Sequence, residues 1–253
     1  MNDSLSPIPL YRGATALFRR NIGFLLAIVA LELSVDFAIG ANPTALHALI
    51  FGFVMLWIWI WTAHSGYISL ATGERLTAIH LFSRRTHPNL RFWGISLCGV
   101  TIFLFLTATP LLIVAGVVEP DAAYGLVLLV PVIVYLLILS QFGLVFPAAA
   151  IENKLRLRWS FRAVRPYWPR LLFDLARGVF LFNLLLLGFF WLAPNFGIAI
   201  DFVTEDSVFS PIGTLMSLIG SLLGSWTIYL SVIAFTNAYR SATARPDVSR
   251  IFE

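Results

Sequence analysis

Two carboxylates inside an apolar stretch are the sharpest chemical feature of the sequence. Glu32 and Asp36 are four residues apart, which places them on one face of a helix. Ionisable groups in apolar helices are costly and usually face a bundle interior or water. The spacing predicts a proton or cation site at Glu32 and Asp36. The alternative places Asp36 in headgroup water and Glu32 in a hydrogen bond to a neighbour, near the outer end of the helix.

A strongly cationic segment separates two apolar stretches between residues 141 and 170. One predicted helix face carries apolar side chains, at Leu157, Phe161, Val164 and Trp168. The opposite predicted face carries the basic residues Lys154, Arg158, Arg162 and Arg165. This pattern is typical of an amphipathic helix at a membrane surface. We expect the basic face to bind anionic lipid headgroups, at about 1 kcal/mol per basic residue.

The sequence lacks the motifs of common catalytic and metal sites. Its four histidines are scattered, and it has no HExxH, no cysteine cluster, no glycine-rich phosphate loop and no Gly-x-Ser-x-Gly. The largest connection between apolar stretches is about 20 residues, which is too short for a catalytic domain. We therefore predict no catalytic residues, no metal, no cofactor and no enzymatic activity.

The composition is that of an integral membrane protein. Hydrophobic residues make up 59% of the 253 residues and charged residues 12%, and the mean hydropathy is +0.86. A soluble domain is nearer half apolar and a quarter charged. The net charge of +4 does not indicate nucleic acid, because the basic residues cluster between apolar segments.

Six stretches are long enough to cross a bilayer, which takes about 20 apolar residues. We predict an all-α, polytopic membrane protein with a single domain over residues 1–253. Its predicted spans are residues 22–39, 44–70, 92–117, 122–150, 171–193 and 211–238. A short interfacial helix is predicted before the first span, with Leu10, Ala14, Leu17 and Phe18 on one side. Ser210 is predicted to cap the last span.

The charges of the predicted connections separate by sign. Three connections carry no Lys or Arg, and two of these contain the acidic residues Glu119, Asp121, Asp201, Glu205 and Asp206. The remaining connections and both termini carry the basic residues. The positive-inside rule then predicts cytoplasmic N- and C-termini.

The spans form three similar units. Each predicted unit is a basic interfacial helix, a span, an outer turn and a second span, with a period of roughly 70 to 80 residues. Equivalent positions precede spans one, three and five, at residues 18–21, 86–89 and 168–170. The pattern predicts three helix-hairpin repeats in the same orientation.

Two short elements carry a resemblance to a known family. Residues 146–152, which run from Phe146-Pro147 to Glu152, and the closing Thr236-x-x-Tyr239-Arg240 resemble elements of the YciC-like proteins. They also resemble the membrane domain of certain bacterial glycerophosphodiester phosphodiesterases. The resemblance implies a six-span inner-membrane protein of mostly uncharacterised activity. In fused members of the family, the phosphodiesterase chemistry belongs to a separate soluble domain.

Two functions of different classes remain open from the sequence. The first is a non-enzymatic membrane protein that organises or assists other proteins, or stabilises the envelope, through cationic cytoplasmic helices with anionic lipids as partners. The second is a small transporter or lipid-handling protein that uses Glu32 and Asp36. The sequence identifies no protein partner.

Overall fold

A computed structural model describes residues 7–40, 45–115, 123–192 and 210–244 of the chain. Regular structure in these ranges is helical throughout, without a β-strand, and the all-α prediction is confirmed. In chain order the helices are α1 (Leu10–Arg20), α2 (Ile22–Gly40), α3 (Ala45–Thr72), a 3₁₀ helix (Ala78–Phe82), α4 (Leu90–Ala115), α5 (Ala123–Phe142), α6 (Val145–Ile151), α7 (Leu157–Val164), α8 (Trp168–Asp174), a π-helical turn (Leu175–Phe180), α9 (Leu181–Leu192) and α10 (Pro211–Thr243).

Several helices have the length and composition of membrane spans. Within the described ranges, Gly52–Thr72 of α3 and Pro211–Thr243 can each cross a bilayer alone. Two bent pairs bring the number to four if each counts as one span. These are α1 with Ile22–Val35, bent by 76°, and Ile133–Phe142 with α6, bent by 51°. Large apolar side chains on these helices are exposed; the side chain of Phe53, for example, is 63% exposed. Such exposure suits a lipid environment.

Helical structure coincides with all six predicted spans. α2, α3, α4, α5 and α10 each begin within two residues of the predicted start. The Ser210 cap is also present, because the Gly213 N–H donates to Ser210 Oγ at 3.0 Å. How many of these helices cross the membrane stays a prediction, as does the threefold repeat.

The fourth predicted span is broken rather than continuous. α5 ends at Phe142 and α6 begins at Val145. Pro147 lacks the N–H that would bond the Gly143 carbonyl, so the helical ladder is interrupted there. A side chain at Gly143 would overlap the ring of Phe235. The break therefore has a backbone cause at Pro147 and a packing cause at Gly143.

The described chain divides into two compact units. Unit 1 comprises Met1–Pro7, Asn89–Ala176 and Ala234–Glu253, and unit 2 comprises Ile8–Pro88 and Arg177–Ile233. One membrane domain can contain two such units, so the single-domain prediction for residues 1–253 stays a prediction.

In unit 2, helices α1, α2 and α3 pack together, and α2 also contacts the 3₁₀ helix. The predicted apolar side of α1 is buried at Leu10, Ala14 and Leu17. Phe24 of α2 meets the edge of the Trp61 ring, with the ring centroids 6.1 Å apart. The prediction of a helix with one apolar side is thus confirmed for α1, whereas its interfacial position stays a prediction.

A buried asparagine stabilises the bend, or corner, between α1 and α2. Asn21 is fully buried. Its Oδ1 accepts hydrogen bonds from Ser69 Oγ at 3.2 Å and from the Leu76 N–H at 3.0 Å. Its Nδ2 donates to Tyr229 Oη at 3.5 Å, and the neighbouring Arg20 donates to the Ser69 carbonyl at 3.2 Å. This one side chain links the corner to α3, to the loop after α3 and to α10.

In unit 1, α4 packs against α5 and α6, and α5 packs against α7 and α8. The ring of Phe146 lies between two others, 6.3 Å from Phe92 and 5.5 Å from Phe235. Asn89 caps α4 by accepting the Phe92 N–H at 2.9 Å, and its amide donates to the Ala149 carbonyl at 2.8 Å. These contacts fix α6 and the turn that leads into α7.

Candidate functional site

The cationic helix is shorter than the sequence predicts. α7 begins at Leu157, so Lys154 lies in the turn before it, next to Asn153 with a left-handed φ of 52°. The helix ends two residues before Pro166, and Trp168 belongs to α8. Proline commonly follows a helix end because it cannot continue the backbone hydrogen bonding. The predicted single helix is therefore a turn followed by two short helices.

The buried face of α7 also differs from the prediction. Its buried residues are Trp159, Ser160, Ala163 and Val164. Of the apolar residues predicted to share the opposite face, Leu157 is 48% exposed and Phe161 is 39% exposed. Ser160 Oγ donates a hydrogen bond to the Phe142 carbonyl at 3.2 Å. This bond turns the face of α7 that carries the small side chains toward α5.

The outward side of this segment combines cations with apolar side chains. We call the exposed set the α7 surface, which consists of Lys154, Leu157, Arg158, Phe161, Arg162 and Arg165. The Arg165 guanidinium lies 5.5 Å from the centroid of the Phe161 ring. Apolar side chains beside cations suit the boundary between acyl chains and headgroups, where each group finds its preferred environment.

The positive charge of the α7 surface is not compensated locally. The nearest acid in the chain, Glu152, already pairs with Arg156 at 3.4 Å and accepts a hydrogen bond from the Tyr239 hydroxyl. Across the four described ranges, none of the cations of the α7 surface forms an ion pair with a carboxylate. The surface can therefore attract anions from outside the protein.

Contacts with α10 hold the turn before α7 in place. The Tyr239 ring meets the Trp159 ring edge-on at 5.6 Å, in addition to its hydroxyl bond to Glu152. Arg91 of α4 donates to the Asn153 carbonyl. Sequence reasoning singled out Glu152 and Tyr239 separately but not their contact, since residues so far apart in the chain give no periodic signal.

The structure describes only one of the two carboxylates predicted to form a site in span one. Glu32 is half-buried on α2. Asp36 lies one turn later on the same helix, and its side chain is outside the described part of the chain. The predicted proton or cation site at these residues stays a prediction.

Sequence reasoning missed one further region, the loop between α3 and α4. It was predicted as a basic connection that carries an interfacial helix, but the cavity that its residues line together with the end of α3 was not predicted. The available signal was the concentration of Arg, His, Ser and Thr within 16 residues. Within the described ranges, no group of three or more His, Cys, Asp or Glu residues could hold a metal ion.

No protein-family model, curated protein or solved structure matches the chain.

Proposed function

We propose that this protein is a non-enzymatic component of a bacterial inner membrane that organises or stabilises the bilayer by holding anionic lipid headgroups. The proposal includes six spans arranged as three helix hairpins, each preceded by a basic interfacial helix. It also includes cytoplasmic termini, which follow from the positions of the basic connections. Membership of the YciC-like family is part of the same proposal.

The α7 surface is the observation that carries this proposal. Its four cations, Lys154, Arg158, Arg162 and Arg165, are exposed and lack a carboxylate partner among the described residues. Exposed Leu157 and Phe161 lie beside them and can enter the acyl region. At about 1 kcal/mol per basic residue, four cations contribute about 4 kcal/mol toward an anionic surface.

Lipid competition on the full-length protein tests this function. The protein is taken into a mild detergent with equal amounts of phosphatidylglycerol and phosphatidylcholine, and retained lipids are counted by native mass spectrometry. We expect wild type to prefer phosphatidylglycerol. The variant Arg158→Gln/Arg162→Gln should lose about 2 kcal/mol of that preference, which is roughly thirtyfold.

The matched control is Arg158→Lys/Arg162→Lys, which retains both charges and should retain the preference. An unchanged preference in the glutamine variant would contradict the proposal. The alternative of a small transporter or lipid-handling protein is tested separately with Glu32→Gln/Asp36→Asn. Loss of a bound small molecule or lipid in that variant would favour the alternative.

A further inference from the structure

The loop between α3 and α4 forms a concave surface in unit 2. A cavity of about 410 Å³ lies between this loop and the end of α3, a size within the range of small-ligand sites. Its polar lining consists of Glu74, Arg75, His80, Ser83, Arg85 and Thr86. Ile68 and Leu76 supply its apolar part. We call this cavity the loop groove.

Hydrogen bonds fix the backbone that carries the loop groove. Gly73 adopts a φ of +75° and ends α3, which lets the chain reverse. Ser69 Oγ then donates to the Glu74 carbonyl at 2.8 Å. At the far end, His64 Nδ1 lies 3.1 Å from the Thr86 carbonyl. Together with the Asn21 bond to the Leu76 N–H, these contacts tie the loop near its start and near its end.

The lining is rich in hydrogen-bond donors. Arg75 and Arg85 each carry a guanidinium with five N–H groups. His80 Nδ1 accepts the Thr77 N–H at 3.0 Å, so in the neutral ring Nε2 carries the hydrogen and is a donor. Ser83 Oγ accepts the Arg85 N–H at 3.3 Å, which leaves its own hydrogen available. Two cations and two further donors line one cavity, and such a set suits the oxygens of a phosphate group.

One carboxylate also lines the groove and weakens its attraction for anions. Glu74 is 3.7 Å from the Arg85 guanidinium, and both side chains are largely exposed. An exposed pair of this length is weak, so an anionic ligand with several oxygens can compete for Arg85. Glu74 itself repels an anion, and its removal should strengthen anion binding.

The apolar neighbours of the groove indicate where it lies. Ile79 and Phe82 of the 3₁₀ helix are 75% and 87% exposed. Side chains of this size are rarely left so exposed to water in pairs, and at an interface they enter the acyl region. With both anchors in the acyl region of a bilayer, the donor-rich groove beside them would face the lipid phosphates.

We propose that the loop groove binds a phosphate group, with Arg75 and Arg85 as the charged donors and His80 and Ser83 as further donors. The group comes from a lipid headgroup or from free phosphate. This site shares no residue with the α7 surface and does not depend on the function proposed for that surface.

Titration calorimetry of the full-length protein in a neutral detergent tests this proposal. The probes are dihexanoylphosphatidic acid, inorganic phosphate and, as a zwitterionic comparison, dihexanoylphosphatidylcholine. We expect saturable binding of a phosphate-bearing probe, weakened about tenfold or more by Arg85→Gln. The matched control is Arg84→Gln, because Arg84 is the exposed neighbour that does not line the groove. It should change the affinity less than about twofold.

The remaining variants distinguish the source of the phosphate. Glu74→Gln should tighten binding by roughly threefold, through the loss of one repulsive charge. Ile79→Ser/Phe82→Ser should weaken the phosphatidic acid probe only, if a lipid is the ligand. Binding of both probes, or of inorganic phosphate alone, assigns free phosphate as a ligand and also supports the proposal. Absence of saturable binding, or equal losses in Arg84→Gln and Arg85→Gln, would overturn it.

Discussion

The α7 surface and the loop groove are built from the same kinds of side chain in different shapes. In the α7 surface, Arg158 and Arg162 project from a helix without a carboxylate partner among the described residues. In the loop groove, Arg75 and Arg85 line a cavity together with Glu74. Both regions place exposed apolar side chains next to the cations. Shape and local charge balance, rather than composition, therefore distinguish the proposed lipid contact from the proposed phosphate site.

The two regions also differ in what supports them. The loop groove depends on polar contacts of buried residues, chiefly those of Asn21. The α7 surface depends on close packing under the helix, where Ser160 is anchored to the Phe142 carbonyl beside the break at Gly143. Removing a hydrogen bond should damage the first region, and adding volume should damage the second.

Asn21→Ala should have the largest effect. It leaves the Leu76 N–H without its partner and removes a donor to Tyr229, and buried groups without partners cost about 1–3 kcal/mol each. We expect a loss of about 3 kcal/mol in unfolding free energy, together with loss of phosphate binding. Thermal unfolding followed by circular dichroism measures the first quantity.

A residue-matched control is Asn183→Ala, which removes an exposed side chain whose amide donates to the Val179 carbonyl one helical turn earlier. It should change the unfolding free energy by less than about 0.5 kcal/mol. Equal destabilisation by the two variants would show that the loop groove does not depend on Asn21.

Gly143→Ala should have the next largest effect, and its consequences should appear at the α7 surface. The added methyl group overlaps the Phe235 ring and lies 2.9 Å from the Leu139 carbonyl oxygen. Overpacking of this kind costs about 1–3 kcal/mol. We expect a loss of about 2 kcal/mol and a weaker preference for phosphatidylglycerol, with phosphate binding in the loop groove unchanged.

Gly94→Ala is the control for this substitution, because among the described residues its added methyl group meets nothing within 4 Å apart from its own stretch of helix. Alanine has the higher helix propensity, so Gly94→Ala should be neutral or slightly stabilising. If Gly143→Ala were tolerated equally well, the break between α5 and α6 would not be fixed by packing against Phe235.

Raising the ionic strength should have the smallest effect of these changes, and it should affect the α7 surface and the loop groove differently. Raising salt from about 0.1 M to about 1 M shortens the screening length from about 10 Å to about 3 Å. The lipid preference of the open α7 surface should fall severalfold. Phosphate binding should fall less, because direct hydrogen bonds in the loop groove act at contact distance. Equal losses in lipid competition and calorimetry would indicate that both regions act through long-range charge alone.

Helix positions and one helix face were predictable because they depend on local pattern. The apolar side of α1 at Leu10, Ala14 and Leu17 is buried as its spacing predicts. The exposure of Leu157 and Phe161 was not predictable in the same way. Periodicity shows which residues share a face, but the face that packs is chosen by partners elsewhere in the chain.

The features that sequence reasoning missed depend on contacts between distant residues. Pro147 marks the break between α5 and α6 in the sequence, but the packing of Gly143 against the Phe235 ring does not show there, and the loop groove depends on Asn21 reaching the Leu76 N–H. Neither pair has a spacing that marks it in the sequence. The sequence alone shows that residues 154–165 are cationic. That this charge is uncompensated became clear only from the structure, in which Glu152 pairs with Arg156.

The position of α10 in the chain has a consequence for biosynthesis. It is the last of the described helices to leave the ribosome, yet it supplies Tyr229 to Asn21 in unit 2 and Tyr239 to Glu152 in unit 1. Until it arrives, each unit of the nascent chain lacks a tyrosine partner for a polar side chain. A chain that stops before α10 should therefore be recognised by membrane quality control and degraded, rather than persist as a smaller working protein.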